Sequence, residues 1–163
     1  MSKVEVKDEK PHYNVTAGLI WKGGKVLIAR RPKGVHLEDL WEFPGGKRER
    51  GEGLEDCLER EINEELRLEV RADEPLLTLD HEYPGKRITL HFFKCTLIRG
   101  EPEAIACQEF RWVWPGDLSS FVFPPPDVKA IDILMHRGMG KDEGDEGFDV
   151  KSPKGLDTPY ATS

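Results

Sequence analysis

Residues 46–68, GKRERGEGLEDCLEREINEELRL, decide the fold that this sequence predicts, because they contain its clearest helix. Within LEDCLEREINEEL (54–66) the apolar residues recur every three or four positions, which predicts an amphipathic α-helix packed against a sheet. Gly53 stands at the N-cap position, and two acids in the first turn complement the positive end of the helix dipole. We therefore predict a helix over 54–66 that lies on a β-sheet formed by the flanking segments.

Three glutamates interrupt the apolar face of this helix. Successive residues are about 100° apart around the helix axis, so Glu61 and Glu65 fall about 20° to either side of Leu54. They lie between Cys57 and the other apolar residues of the helix, and Glu64 lies at the border of this apolar face. Acids four residues apart repel each other, and burying them costs more unless a cation pairs with them. A hard divalent ion such as Mg²⁺ or Mn²⁺ removes this difficulty, whereas a solvated acidic face is the alternative interpretation.

A glycine-rich basic loop, FPGGKRERGEG (43–53), leads into the helix. Its paired glycines let the backbone approach a ligand closely, and three basic residues follow them. Together with the helix acids, this loop fits metal-assisted attack on a phosphate group.

The spacing resembles the signature of the Nudix hydrolase family, G-x5-E-x7-R-E-U-x-E-E-x-G-U, where U is aliphatic. Eight of its nine defined positions match, and they are Gly46, Glu52, Arg60, Glu61, Ile62, Glu64, Glu65 and Leu68. The mismatch is Arg67, where the family has the glycine that closes the helix in a left-handed turn. We therefore expect the helix to end differently at Arg67, or to carry strain there.

The resemblance extends over residues 12–136. LWEFPGGK (40–47) before the signature and EYPGKRITLHFF (82–93) after it resemble the MutT branch, which hydrolyses nucleoside triphosphates. It implies the α/β class, with a Nudix α/β/α sandwich in which helices flank a mixed sheet. The implied reaction is Mg²⁺-dependent, with Mn²⁺ as a possible substitute. It cleaves 8-oxo-dGTP, or a related damaged or surplus nucleotide, to the monophosphate and pyrophosphate.

The resemblance also implies roles for individual residues. Glu61 would be the metal-bound general base, and an Arg60–Glu52 ion pair would fix the loop against the helix. The implied catalytic residues are Glu61, Glu64, Arg60 and Glu52, and the implied metal ligands are Glu61, Glu64, Glu65 and the Gly45 carbonyl. The implied substrate-binding residues are Arg31, His36, Glu42, Phe43, Pro44, Gly45, Gly46, Lys47, Lys86 and Asp127.

Alternatives stay open for several of these positions. His36 suits an ordinary surface residue, Phe43 a core aromatic, and Asp127 either a helix cap or a reader of the base. An ionised Asp127 accepts hydrogen bonds only, so it fits the N7–H of 8-oxoguanine and the N4 amine of cytosine equally well. CTP or 5-methyl-dCTP is therefore the alternative substrate.

A further metal-binding glutamate of the branch is missing, because its position carries Ala106. Either Glu103 or Glu109 could replace it, or the site has one ligand fewer. Two other functions compete with the triphosphate reaction. One is hydrolysis of a nucleoside diphosphate linked to another group, as in ADP-ribose, and the other is nucleotide binding without catalysis.

The remaining elements are predicted from hydrophobic pattern and turn residues. We expect two strands within 12–30, a loop over 31–53, and a hairpin of LLTLDHEY (76–83) and RITLHFFKCTLI (87–98). A strand over 111–114 and a helix over 127–136 follow. Residues 1–11 are predicted to be an N-terminal extension, and 137–163 a flexible, acidic, glycine-rich tail.

Composition excludes several functional classes. The chain has 163 residues, 37% of them hydrophobic, and its net charge of −7 argues against binding a nucleic-acid polymer. No apolar run approaches the ~20 residues of a membrane helix, and the charged start does not resemble a secretory signal. Three cysteines without CxxC spacing predict reduced thiols, so we expect a cytoplasmic protein that acts on a small nucleotide.

Overall fold

The computed structural model describes residues 10–140. Its helices and strands are β1 (His12–Lys22), β2 (Lys25–Arg30), β3 (Trp41–Glu42), α1 (Leu54–Leu66), β4 (Glu69–Tyr83), β5 (Lys86–Arg99), β6 (Phe110–Val113) and α2 (Pro125–His136). Short 3₁₀ turns cover Pro115–Ser120 and Gly138–Gly140. The predicted helix over 54–66 is therefore confirmed at both of its ends.

Three predicted elements differ in detail. The segment 31–53 contains the two-residue strand β3, which a pattern of charged and glycine residues does not reveal. Strand β6 begins at Phe110, one residue earlier than expected. Helix α2 begins at Pro125 and not at Asp127, because prolines fit the first turn of a helix, where the amides have no partner within the helix.

The strands form a mixed sheet in the order β3-β2-β1-β5-β4, with β6 also paired to β2. Strand β1 runs parallel to β5 from His12 to Ile20, and β4 and β5 form the predicted antiparallel hairpin. At its far end β1 turns through Gly23 and Gly24, both with positive φ, into the antiparallel strand β2. The predicted mixed sheet is thus confirmed.

Each face of the sheet is covered by one helix. Leu58 and Ile62 of α1 are fully buried in a cluster that includes Phe93. Ala130 and Leu134 of α2 belong to a second cluster on the opposite face of the sheet. This is the α/β/α sandwich that the sequence predicts.

Gly18 of β1 brings α1 close to the sheet. A β-carbon at this position would lie 2.9 Å from the Cys95 sulfur and 3.2 Å from Cδ1 of Ile62. Both distances are shorter than ordinary van der Waals contacts, so a larger residue would push the helix outward. Gly18 therefore sets the short distance between β1 and α1, the helix that carries the acids.

The folded part of the chain extends past both predicted boundaries. The Lys10 ammonium lies 3.1 Å from the Glu82 carboxylate, and the Pro11 carbonyl accepts a hydrogen bond from Arg87. Met139, predicted to belong to the flexible tail, is only 2% exposed and packs in the α2 cluster. The rest of the predicted extension (1–9) and tail (141–163) lies outside the described residues. Among residues 10–140, no helix has the length and apolar character needed to span a bilayer.

Arg67 closes helix α1 in the left-handed conformation itself, with φ 60° and ψ 32°, and its amide donates to the Asn63 carbonyl. The backbone therefore ends the helix as the family glycine would, but with a side chain present. A non-glycine residue in this region carries a steric cost, so the expected strain is located at Arg67.

We predict that Arg67→Gly stabilises the protein by about 0.5–1 kcal/mol, because glycine adopts this conformation without a β-carbon clash. Urea unfolding of the two proteins measures the difference. Arg67→Ala is the matched control, since it removes the same side-chain charge but keeps the β-carbon, and it should not stabilise. A glycine variant less stable than the alanine variant would contradict this explanation.

Candidate active site

The loop before α1 runs beside β1 and is hydrogen-bonded to it. The amides of Thr16 and Gly18 donate to the carbonyls of Gly46 and Pro44, both at 2.8 Å. Gly45 lies between these two bonds, where a β-carbon would overlap the Thr16 carbonyl oxygen. Only glycine permits this close contact, so Gly45 lets the loop lie directly beside β1.

Gly46, in the same loop, contacts helix α1. A β-carbon on Gly46 would overlap the carboxylate of Glu61, which reaches up from α1. The paired glycines thus let the loop backbone touch both β1 and the Glu61 side chain. This explains in steric terms why two glycines precede a helix of acids.

Arg60 ties the loop to the helix. Its guanidinium donates twice to Glu52, at 2.6 and 3.0 Å, and also to Glu61 at 3.1 Å. The same group reaches the Lys47 carbonyl at 3.4 Å. Hydrogen bonds from Arg60 lower the pKa of Glu52 to about 2. The ion pair implied by the signature is therefore formed, and it stays ionised over the physiological pH range.

A cavity of about 320 Å³ opens between this loop, the sheet and the start of α2. It brings together predicted residues that are far apart in sequence. They are Arg31, His36, Glu42, Phe43, Gly45, Gly46, Lys47, Glu61, Glu65, Lys86 and Asp127.

Four predicted site residues do not line the cavity. Arg60 and Glu52 lie behind the loop, and Pro44 is buried with its carbonyl bonded to β1. The Glu64 side chain is 58% exposed and accepts a hydrogen bond from Arg60. Metal ligation by Glu64 therefore stays a prediction.

The cavity is also lined by residues that the sequence motifs did not predict. Tyr83 lines it from the end of β4, Ile88 and Leu90 from β5, and Pro124 and Pro126 from the start of α2. Strand alternation was the available signal for β5, since residues 88 and 90 share one face. No sequence pattern singled out the tyrosine or the prolines as cavity residues.

Glu61 and Glu65 are crowded at one end of the cavity. Burial, and next the nearby charges of Glu42 and Glu61, raise the pKa of Glu65 to about 9. Burial likewise raises the pKa of Glu61, although Arg60 opposes it. Interaction between the two carboxyls raises the pKa of Glu65 further and lowers that of Glu61. Such a pair gains from a cation that neutralises both acids.

The donor set at this end is made of oxygen only. Within residues 10–140, no three His, Cys, Asp or Glu side chains already converge on one point. Mg²⁺ is commonly held by one or two carboxylates, together with water and substrate phosphates. The Glu61–Glu65 pair beside the Gly45–Gly46 backbone fits that requirement without a third side chain.

Asp127 reaches the cavity from α2, on the opposite face of the sheet from α1, so it marks a second end of the cavity, and it is 7% exposed. The N-cap of α2 is Pro124, and no side chain caps the helix, so the capping alternative for Asp127 is wrong. Burial, and next the charge of Glu42, raise the pKa of Asp127 to about 8. An Asp127 carboxyl that is protonated at neutral pH can both donate and accept a hydrogen bond.

Aromatic rings surround this end. The His36 ring meets Tyr83 edge-on at 5.0 Å and lines the cavity, although the residue is exposed at the surface, so the surface alternative stays open. Phe43 stacks on Phe123 at 5.5 Å and is 2% exposed, so it is a core aromatic that also lines the cavity. Flat apolar walls with few polar groups suit a nucleobase.

Neither candidate for the missing glutamate reaches the cavity. Glu109 pairs with Arg30 at 3.0 Å and with Arg111 at 3.1 Å. Glu103 is exposed, and its amide donates to the Leu66 carbonyl. Glu42 is near enough for its charge to raise the pKa of Glu65, but it pairs with Arg31 at 2.8 Å.

Comparison with known proteins agrees with this geometry. The NUDIX domain model matches residues 16–132, so the chain belongs to the NUDIX domain family. Within that family it is a MutT-like hydrolase. Members of the family generally need a divalent metal ion.

Two curated relatives illustrate the likeness. An 8-oxo-dGTP diphosphatase of Buchnera aphidicola (subsp. Schizaphis graminum) is 34% identical over 122 residues, covering 75% of this chain and 92% of the relative. A CTP pyrophosphohydrolase of Escherichia coli is 32% identical over 121 residues, covering 74% of this chain and 90% of the relative.

Solved structures show the same fold. The Escherichia coli ORF135 protein superposes with a TM-score of 0.72 at 29% identity, covering 82% of this chain and 96% of that one. The MutT protein of methicillin-resistant Staphylococcus aureus, described as a Nudix hydrolase, gives 0.66 at 32% identity, covering 80% and 100%.

The raised carboxyl pKa values predict how the stability of the metal-free protein depends on pH. Above about pH 4 the folded protein holds protons that the unfolded chain has released, on Asp127 up to about pH 8 and on Glu65 up to about pH 9. Stability therefore falls as pH rises through this range. In EDTA we expect the unfolding midpoint to drop by on the order of 10 °C between about pH 5.5 and pH 8.

Differential scanning calorimetry at several pH values measures this dependence. Glu65→Gln should flatten the decline, whereas Glu55→Gln, on the exposed side of the first turn, should leave it unchanged. A midpoint that rises steadily over the same range would show that the buried acids do not destabilise the metal-free protein.

Proposed function

We propose that this protein is a Mg²⁺-dependent nucleoside triphosphate diphosphatase that converts 8-oxo-dGTP, or a related damaged nucleotide, to the monophosphate and pyrophosphate. The observation that carries the proposal is that one cavity joins the Glu61–Glu65 acid pair to Asp127. The names of several relatives support the substrate. We also propose that the protein acts in the cytoplasm, on the free nucleotide pool.

The acid end suits a polyphosphate. Glu61 and Glu65, with the Gly45 carbonyl and possible help from Glu64, would hold the metal. Bound there, Mg²⁺ would offset phosphate charge and lower the pKa of a coordinated water. Mn²⁺ has the same preference for oxygen ligands and could substitute.

Glu61 is our candidate for the general base. Arg60 holds its carboxylate at 3.1 Å, and the Gly46 backbone lies against it, so its position is fixed from two sides. In the reaction, Glu61 would take the proton from a water that attacks the β-phosphorus, and the nucleoside monophosphate would leave.

The other end suits a base that carries a donor beside an acceptor. A neutral Asp127 carboxyl can accept from N7–H of 8-oxoguanine and donate to its O6. Unmodified guanine presents acceptors at both of these positions, so it would lose one bond. Asp127 therefore favours the oxidised base over the normal one.

CTP is the second candidate, and two observations favour it. Cytosine also presents a donor, its N4 amine, beside an acceptor, N3, so it matches the same carboxyl. The CTP pyrophosphohydrolase of Escherichia coli is 32% identical to this chain. Asp127 alone does not separate the two substrates.

The direct test is a panel of 8-oxo-dGTP, dGTP, CTP, 5-methyl-dCTP and ADP-ribose with Mg²⁺, ranked by kcat/KM with product analysis. We expect 8-oxo-dGTP to have the highest kcat/KM and to release pyrophosphate.

Glu61→Gln should lower turnover by about 10²–10⁴-fold while folding and nucleotide binding persist. Two monophosphates from ADP-ribose as the best substrate would favour the diphosphate-linked alternative. Binding without any turnover would indicate a non-catalytic module.

A second test addresses base recognition. Asp127→Ala should lower kcat/KM for the preferred nucleotide by about 10–100-fold, because its paired donor and acceptor are lost. The value for dGTP should fall less. Asp127→Asn keeps one donor and one acceptor and should retain most of the preference. An equal loss on every nucleotide would remove Asp127 from base recognition.

A further inference from the structure

The cationic side chains of Arg31, Lys47 and Lys86 line the cavity, and Lys86 lies 5.6 Å from the centre of the Tyr83 ring. Arg31 forms an ion pair with Glu42 at 2.8 Å. In the part of the chain covering residues 10–140, neither Lys47 nor Lys86 forms an ion pair with a carboxylate. Instead, the Lys47 ammonium lies 4.1 Å from the centre of the Tyr13 ring.

The backbone register produces this contact. Val15 of β1 pairs with Lys47 in an isolated antiparallel bridge, so the two side chains share one face. Tyr13 is two residues before Val15 on that face, which makes it the diagonal neighbour of Lys47. The Lys47 carbonyl also accepts from Arg60, so the backbone that carries the lysine is fixed by the signature helix.

Tyr13 itself does not line the cavity, whereas Lys47 does. Lys47 directly follows Gly46, whose backbone lies against Glu61, so the lysine is attached to the loop next to the acid pair. A carboxylate partner would have cancelled the charge of this lysine. An aromatic face attracts the ammonium but leaves its net charge available for an anion.

We propose that Tyr13 is a positioning residue that holds Lys47 ready to bind the polyphosphate of the substrate. This inference rests on the proposed function and adds a residue to it. Restricting the lysine before binding removes part of the ordering cost that binding would otherwise carry. Tyr13 acts only through Lys47, so its effect depends on that lysine being present.

The test is a double-mutant cycle with Tyr13→Leu and Lys47→Met, using the best nucleotide of the panel. An exposed cation–π pair corresponds to about a two- to fivefold change in an equilibrium constant. We expect Tyr13→Leu to raise KM by that factor, with kcat changed less than about twofold. The Kd of inorganic pyrophosphate with Mg²⁺ should rise in parallel.

In the Lys47→Met background, Tyr13→Leu should have no further effect on KM, and Tyr13→Phe should restore binding because it keeps the ring. Lys22→Met is the matched control, because it removes a lysine that stacks on Trp112 outside the cavity. It should leave KM unchanged. An equal effect of Tyr13→Leu with and without Lys47 would show that Tyr13 acts by packing alone and would overturn the proposal.

NMR separates this inference from the proposed function. Ring currents from Tyr13 should shift the Lys47 side-chain signals upfield in the wild type and in Tyr13→Phe, and the shift should vanish in Tyr13→Leu. If no nucleotide is cleaved but the shift and pyrophosphate binding behave as expected, only the enzymatic proposal fails. If cleavage proceeds and Tyr13→Leu leaves KM unchanged, only the role of Tyr13 fails.

Discussion

Carboxylate crowding at the inner edge of α1 is the constraint on which the rest of the site depends. Glu61 and Glu65 occupy positions between apolar residues that pack on the sheet, where aliphatic side chains would cost less. The fold keeps them there by several means. Gly18 lets the helix lie close to β1, and the Gly45–Gly46 loop closes over Glu61. The acids therefore remain partly desolvated, so their charge must be neutralised either by protons or by a bound divalent cation.

The same constraint organises the cavity as two ends with different chemistry. The acid end combines the Glu61–Glu65 pair with Lys47, a lysine held over an aromatic ring. The other end combines Asp127 with flat rings and prolines from different parts of the chain. A molecule that matches both ends carries a polyphosphate on one side and a base with adjacent donor and acceptor on the other. A nucleoside triphosphate meets this description.

Sequence reasoning located the acid end well, because its residues lie within one helix and the loop before it. Helical spacing alone placed Glu61 and Glu65 on the packed face, and the structure puts both in the cavity. The sequence did not predict several of the site residues that come from elements distant in sequence. Tyr83 and the proline wall come from separate elements, and Met139 packs beyond the expected end of the domain. The burial of Asp127 depends on how α2 docks, so its local sequence allowed a cap as readily as a ligand contact.

Titration of the protein with Mn²⁺, followed by electron paramagnetic resonance, tests the central claim most directly. The wild type and Glu55→Gln should bind the ion with equal affinity, and Glu61→Gln/Glu65→Gln should lose that binding while remaining folded. Added Mn²⁺ should also switch on nucleotide cleavage in the first two proteins only. Equal Mn²⁺ affinity in all three proteins would contradict the account, because the crowded pair would then have no part in holding the metal.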